Sequence, residues 1–376
     1  MNMHQIIKAA FFTPMRKGYW GAPIFFWGRP GVAKTQMIQE FAKSLNIHCE
    51  HLTPGERGEG AFGVTPVPSE DMSVMTYPAP EWTRNLLQDG EEVGIVFVDE
   101  ANTAPPALQP ALLGMIQERR IGGHQCGPRV RLFGAGNPTE MSAGGWEFAP
   151  PVNNRFGHVE WSNPTLDSWV DWLEGTNQVL KTTDLRSHEQ HVMDNWKTFY
   201  QEACRDVSAF LRSRPSLLFN QTDDRAWCSP RTWDMGISIL ASSRLHNLDV
   251  DHQRLLLGAF VGKGAAGEFG VWLEECDLPD CMAVLTGKEK WKPDSKRPDI
   301  TDAVLTGCTN LVLDMERSQA ESMSKKLWSI MEGVKDLDVV FRPVKRLVEE
   351  NLHFTGGKAA KKVLDKLSGM LEVAGL

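Results

Sequence analysis

The sequence predicts an α/β core with a mainly parallel sheet flanked by helices, followed by an all-α region and a helical C-terminal extension. Three observations carry this. Over residues 24 to 135, short β-rich apolar runs alternate with stretches of helical periodicity, the pattern of strands joined by crossover helices. Ile95 to Val98 is apolar without alternation, as a strand covered on both faces must be. Beyond Trp161 the apolar spacing becomes helical throughout.

Taken in order, Ile24 to Trp27 opens the core as a strand, and a glycine-containing turn follows. Met37, Ile38, Phe41, Ala42 and Leu45 then share one face at helical spacing. His48 to Leu52 reads as the next strand and Ile95 to Val98 as a central one, ending in Asp99-Glu100. Pro105-Pro106 suits a helix start, continued by Leu108, Leu112, Leu113 and Ile116 to about Glu118. Val130 to Ala135 is a further strand. Helices are expected at Leu166 to Leu173, His191 to Leu211, Arg231 to Ser243 and His252 to Phe260. The charged, proline-containing stretch 287 to 300 reads as a linker. In the last segment, Ala359, Val363, Leu367 and Leu371 form an apolar face that suits packing on the chain itself. The expected division is residues 1–160, 161–280 and 281–376.

Composition bounds the function. The 376 residues are 41% hydrophobic and 23% charged, ordinary for a globular chain. With 40 Lys and Arg against 48 Asp and Glu, the net charge is −8, so no overall positive field draws the chain to nucleic acid. The seven cysteines (49, 126, 204, 228, 276, 281 and 308) are dispersed and lack C-x-x-C spacing, which suits reduced thiols in the cytoplasm. Cys276 and Cys281 lack nearby His or Cys partners, and on a strand His48 and His51 point to opposite faces, so neither pair suits zinc. No apolar run reaches the length of a membrane span.

The chemistry lies in two motifs. Gly28-Arg29-Pro30-Gly31-Val32-Ala33-Lys34-Thr35 follows a strand and opens a helix, the setting a phosphate-binding loop requires. Backbone N–H groups there cradle phosphates, Lys34 reaches the β- and γ-phosphates of ATP, and the Thr35 hydroxyl ligates Mg2+. Some 65 residues on, the apolar run Ile95-Val96-Phe97-Val98 feeds Asp99 and Glu100. Asp99 suits Mg2+, and Glu100 suits polarisation of the water that attacks the γ-phosphate. Ala33 departs from the simple loop pattern, which has Gly there.

At this point the chain resembles the AAA+ ATPases, specifically the MoxR-like branch. That branch's loop reads G-x-P-G-x-A-K-T, so Ala33 is expected in it. Asp99-Glu100-Ala101-Asn102-Thr103-Ala104-Pro105-Pro106 is similar to its D-E-[IA]-N-x-A-P-P segment. The resemblance covers about residues 20 to 245. It implies that Asn137 of Gly136-Asn137-Pro138 is sensor 1, and that Arg155 of Asn153-Asn154-Arg155-Phe156 is an arginine finger. Asn154 stands where many relatives have Asp, and a structural surface arginine is the other reading of Arg155. Arg231 of Ser229-Pro230-Arg231 resembles sensor 2, supplied by the all-α lid, with Arg212, Arg214 and Arg225 as competitors. On this reading Arg231 acts within its own subunit and Arg155 on a neighbour.

Residues 55 to 77 correspond to a helix-2 insert directed at a ring's pore, and 120 to 129 to a hairpin before sensor 1. Phe62 or Tyr77 would touch substrate there or, alternatively, pack locally. The resemblance further implies a homo-oligomer, a hexameric ring, that remodels a protein partner, with a von Willebrand factor A domain protein as a common companion. A DNA-dependent motor and an ATP-gated scaffold with little turnover are the rival functions. Net charge argues against the first, and Glu100 against the second.

Overall fold

The computed structural model describes residues 2–57, 59–63, 65–84, 86, 93–141, 145–174, 184–276 and 278–375. Gly58 and Val64 of the expected insert lie outside them, as does the side chain of Trp172. The chain divides into two compact units, one of residues 1–200 and 217–267, the other of residues 201–216 and 268–376.

The first unit is built on a five-stranded sheet. Its strands are β1 (Ile24–Trp27), β2 (His48–Leu52), β3 (Gly94–Val98), β4 (Val130–Gly136) and β5 (Gly157–Glu160). Their spatial order is β2-β3-β4-β1-β5, every pair parallel. Parallel neighbours need crossovers that cover the faces, and β1 and β3 are accordingly buried at every residue. One face carries Phe25, Trp27, Val96, Val98 and Leu132, packed with Leu108, Leu112, Phe148 and Phe156.

Two helices precede or follow β1: α1 (Met3–Phe11), capped by the Asn2 side chain, and α2 (Lys34–Ser44). The helix expected from Pro105 starts later, at α3 (Gln109–Leu113), and runs into a π turn at Gly114–Glu118. The cause is local: Pro106 disfavours helical backbone at Pro105, and Pro110 has no N–H to bond back to residue 106. In the helical part, α4 (Leu185–Ser213) begins six residues before its expected start. It is followed by α5 (Pro230–Leu245) and α6 (Val250–Val261). Ser229 caps α5 in a capping box with Thr232, and Pro230 occupies its first position.

The second unit holds helices Cys281–Thr286, Pro298–Asp314, Arg317–Glu332, Leu337–Glu349 and Gly357–Val373. The expected linker is irregular to Arg297, and its last three residues open a helix at Pro298. Trp328, Leu327, Val344 and Leu347 form the core with Val363, Leu367 and Leu371 of the last helix. The apolar face of that segment therefore packs on its own chain. No helix among the described residues is long and apolar enough to cross a membrane.

Candidate functional site

Because all five strands are parallel, the residues that follow them gather at one edge of the sheet. β1 delivers Gly28, β3 delivers Asp99 and β4 delivers Asn137, and β3, β4 and β1 are consecutive neighbours. The loop after β1 turns through two left-handed residues, Gly31 at φ +80 and Ala33 at φ 65, ψ 28. Such turns direct successive N–H groups into one concavity, and the first-turn N–H groups of α2 have no intrahelical acceptors. The loop is therefore a built anion cradle. Trp161, just after β5, braces it by donating its indole N–H to Val32 O at 3.1 Å. Gly28 is needed for this approach, since a Cβ there would lie 2.8 Å from Trp161 Cβ.

The predicted residues meet in this loop. The Lys34 ammonium is buried and donates to Gly28 O at 2.7 Å, Arg29 O at 3.0 Å and Asn137 Oδ1 at 3.0 Å. Burial pushes its pKa below the ordinary lysine value, against the pull of Asp99 and Glu100. Thr35 Oγ1 donates to Asp99 Oδ2, and Asp99 Oδ1 accepts the Glu100 N–H at 2.9 Å. Glu100 is exposed and left-handed at φ 49, which ends the strand there. A hydroxyl and a carboxylate side by side are hard oxygen donors, and Mg2+ takes one or two such ligands besides phosphate oxygens and water. The donor set fits Mg2+ at Thr35 and Asp99.

Two further residues serve this site without having been singled out for it. Asn102, 1% exposed, donates from Nδ2 to Asn137 O at 2.9 Å and so orients the residue that meets Lys34. A Cβ at Gly136 would run into Asn102 Oδ1. The other is His51, at the end of β2, whose Nε2 lies 3.3 Å from Asp99 Oδ2 while its ring stacks on Phe97. The β2–β3 register pairs His51 with Phe97 and Leu52 with Val98; only that register shows the imidazole beside the acidic pair.

The two arginines stand elsewhere. Asn154 and Arg155 precede β5, whose first residue, Gly157, pairs with Ile24 of β1. At 3.3 Å per residue, the start of β5 that Arg155 precedes lies about 13 Å below the level of Gly28 along the strand direction. Arg231, exposed at the start of α5, donates to Asn154 Oδ1 at 3.3 Å, and Asn154 also bonds the capping Ser229. Arg155 donates to Gln117 Oε1 and, at 2.5 Å, to Pro151 O. Burial and then the nearby Arg231 cation lower its pKa. The structure thus places Arg231 beside Asn154 and near Arg155. The competitors are committed: Arg212 pairs with Asp302 at 2.7 Å, Arg214 lies 3.8 Å from Glu268, and Arg225 sits over the Trp27 ring at 3.7 Å.

Phe62 is buried in the core, whereas Tyr77 is 48% exposed beside a short hairpin pairing Val67–Pro68 with Met75–Thr76. A second hairpin, Arg120–Ile121 with His124–Gln125, occupies the position expected before β4. The seven cysteines carry no disulfide.

No family model matches the chain, and no curated protein matches it. Among solved structures, a Cytophaga hutchinsonii protein provisionally named an ATPase is similar over 74% of this chain and 90% of its own, at 14% identity and a TM-score of 0.47. At that identity and score the likeness bears on neither activity nor partners.

Proposed function

We propose that the chain is a MoxR-like AAA+ ATPase that hydrolyses ATP with Mg2+ at boundaries between copies of itself and uses the cycle to remodel a protein partner. The observation that carries this is the pair of hydrogen bonds Lys34–Asn137 and Thr35–Asp99. They join the loop, the acidic strand end and the sensor position at the ends of three adjacent strands. Lys34 and the loop N–H groups bind and orient the phosphates, while Asn137 and Glu100 position the attacking water and Glu100 takes its proton. Bound Mg2+ neutralises charge developing on the phosphate oxygens.

Arg155 and Arg231 lie at the other edge of the sheet, so they serve the phosphate loop of a second copy. Two like charges held near one another gain most when an anion arrives between them. A hexameric ring and a von Willebrand factor A domain companion are extensions of the same reading.

Mixing inactive subunits tests the shared site. Lys34→Ala and Arg155→Ala should each abolish turnover alone, and their mixture should recover part of it, because some boundaries combine an intact loop with an intact finger. A mixture as inactive as its components would refute the shared site. Glu100→Gln should retain ATP binding and lose hydrolysis by about 10²-fold or more; hydrolysis at the wild-type rate would remove Glu100 as the base.

A further inference from the structure

Away from the phosphate loop, two imidazoles face each other. His188 lies in the first turn of α4 and His246 caps the C-terminus of α5, and their Nε2 atoms are 3.1 Å apart. His246 Nδ1 lies 2.7 Å from Ser242 O. A carbonyl only accepts, so the His246 proton is on Nδ1 and its Nε2 presents a lone pair to His188. A backbone carbonyl fixing the far nitrogen is also how metal-bound histidines are held.

We propose that His188 and His246 form the paired edge of a binding site for a first-row divalent transition ion of the zinc, nickel and copper class, with His191 as third ligand. Two imidazole nitrogens at 2.0–2.1 Å from one ion, at near-tetrahedral or square angles, stand roughly 3 to 3.4 Å apart, which is the separation observed. His191 is one helical turn from His188, its ring centroid 6.3 Å from that of His188, and it is exposed. Among the described residues no three His, Cys, Asp or Glu side chains already enclose an ion, so His191 joins by rotating its side chain. Imidazole nitrogens select this class over Mg2+.

The surroundings are consistent. Burial, aided by Lys8, pushes both imidazoles down to about 4. On binding, the proton that His188 Nε2 shares with His246 moves to its own Nδ1. Phe12 forms an apolar wall, 4.2 Å from the His188 ring. Lys8 of α1 is the opposing charge, and Glu189 is taken by Arg129 and Arg131 at 2.5 Å each. A bound ion would fasten the first turn of α4 to the end of α5.

The test is equilibrium dialysis of the chelator-stripped, full-length protein against Zn2+ in millimolar Mg2+, with Co2+ absorption reporting ligand type. About one Zn2+ per chain is expected, weakened about 10-fold or more by His188→Gln and by His246→Gln and unchanged by Lys34→Ala or His51→Ala. Lys8→Met should tighten it several-fold, a gain that misfolding would not produce. Wild-type binding no tighter than in the His188→Gln, His246→Gln double variant, or binding that follows His51 instead, would overturn the site.

Discussion

Ala33 shows how one residue type can tune the phosphate loop. Its left-handed backbone costs an L-residue roughly 1–2 kcal/mol, which glycine avoids. Glycine also frees the unfolded chain, which takes back about 0.4–1 kcal/mol. Ala33→Gly is therefore expected to raise stability by about 0.5–1 kcal/mol in urea unfolding, and Ala33→Val to lower it, because a β-branched residue tolerates this region least. A drop in stability for Ala33→Gly would show that the left-handed turn is not the resting state of the loop. The loop was readable from sequence because its chemistry is contiguous: eight residues between a strand and a helix state the whole motif. Asp99 and Glu100 were readable for the same reason. The contacts of Asn102, His51 and Trp161 were not, because each meets its partner across 35, 48 and 129 residues respectively, and only strand order and register bring them together.

At the scale of elements, the two inserted hairpins meet through glycine. Gly63 at φ +68 and Gly122 at φ +59 pack backbone to backbone, and a Cβ on Gly63 would lie 2.7 Å from Gly122 Cα. Gly123 N–H also donates to Tyr77 O at 3.3 Å. Gly63→Ala therefore adds both a strained backbone and a clash with main chain that cannot rotate away. Hydrogen exchange should show residues 65–77 and 120–125 losing protection together, while the amides of β3 and β4 keep theirs. Protection lost at 65–77 alone would mean the hairpins are independent. Most elements were legible because their apolar pattern is local: four of the five strands and α2 stand where apolar runs and helical spacing put them, whereas β5 (Gly157–Glu160), with only Val159 apolar, was not read as a strand. The start of α3 was misread, since two prolines suit a helix start until a third, Pro110, removes a needed donor. Among tryptophans of the helical region, Trp233 is 2% exposed whereas Trp169 is 49% exposed. A lone sequence shows the size of an aromatic residue and not what covers it.

At the scale of the molecule, the separation of Lys34 from Arg155 and Arg231 has a kinetic consequence. If one chain held every group needed for hydrolysis, turnover per chain would be independent of concentration. On the proposed reading, the loop, Asp99, Glu100 and Asn137 supply one half of a site and both arginines the other, so a chain alone would have half a site and two copies would complete one. ATPase rate per chain should therefore rise with protein concentration and level off once assembly saturates. Arg155→Ala should flatten that curve near its dilute limit, a fall of about 10³-fold or more at saturation, the scale of a missing arginine finger. Arg231→Ala should act in the same direction and, mixed with Lys34→Ala chains, be rescued as Arg155→Ala is, because on the proposed reading both arginines serve the same neighbour. Rescue of Arg155→Ala without rescue of Arg231→Ala would return Arg231 to its own subunit's nucleotide. That would require α5 to leave Asn154, and loss of the Asn154–Ser229 hydrogen bond on ATP binding would be its signature.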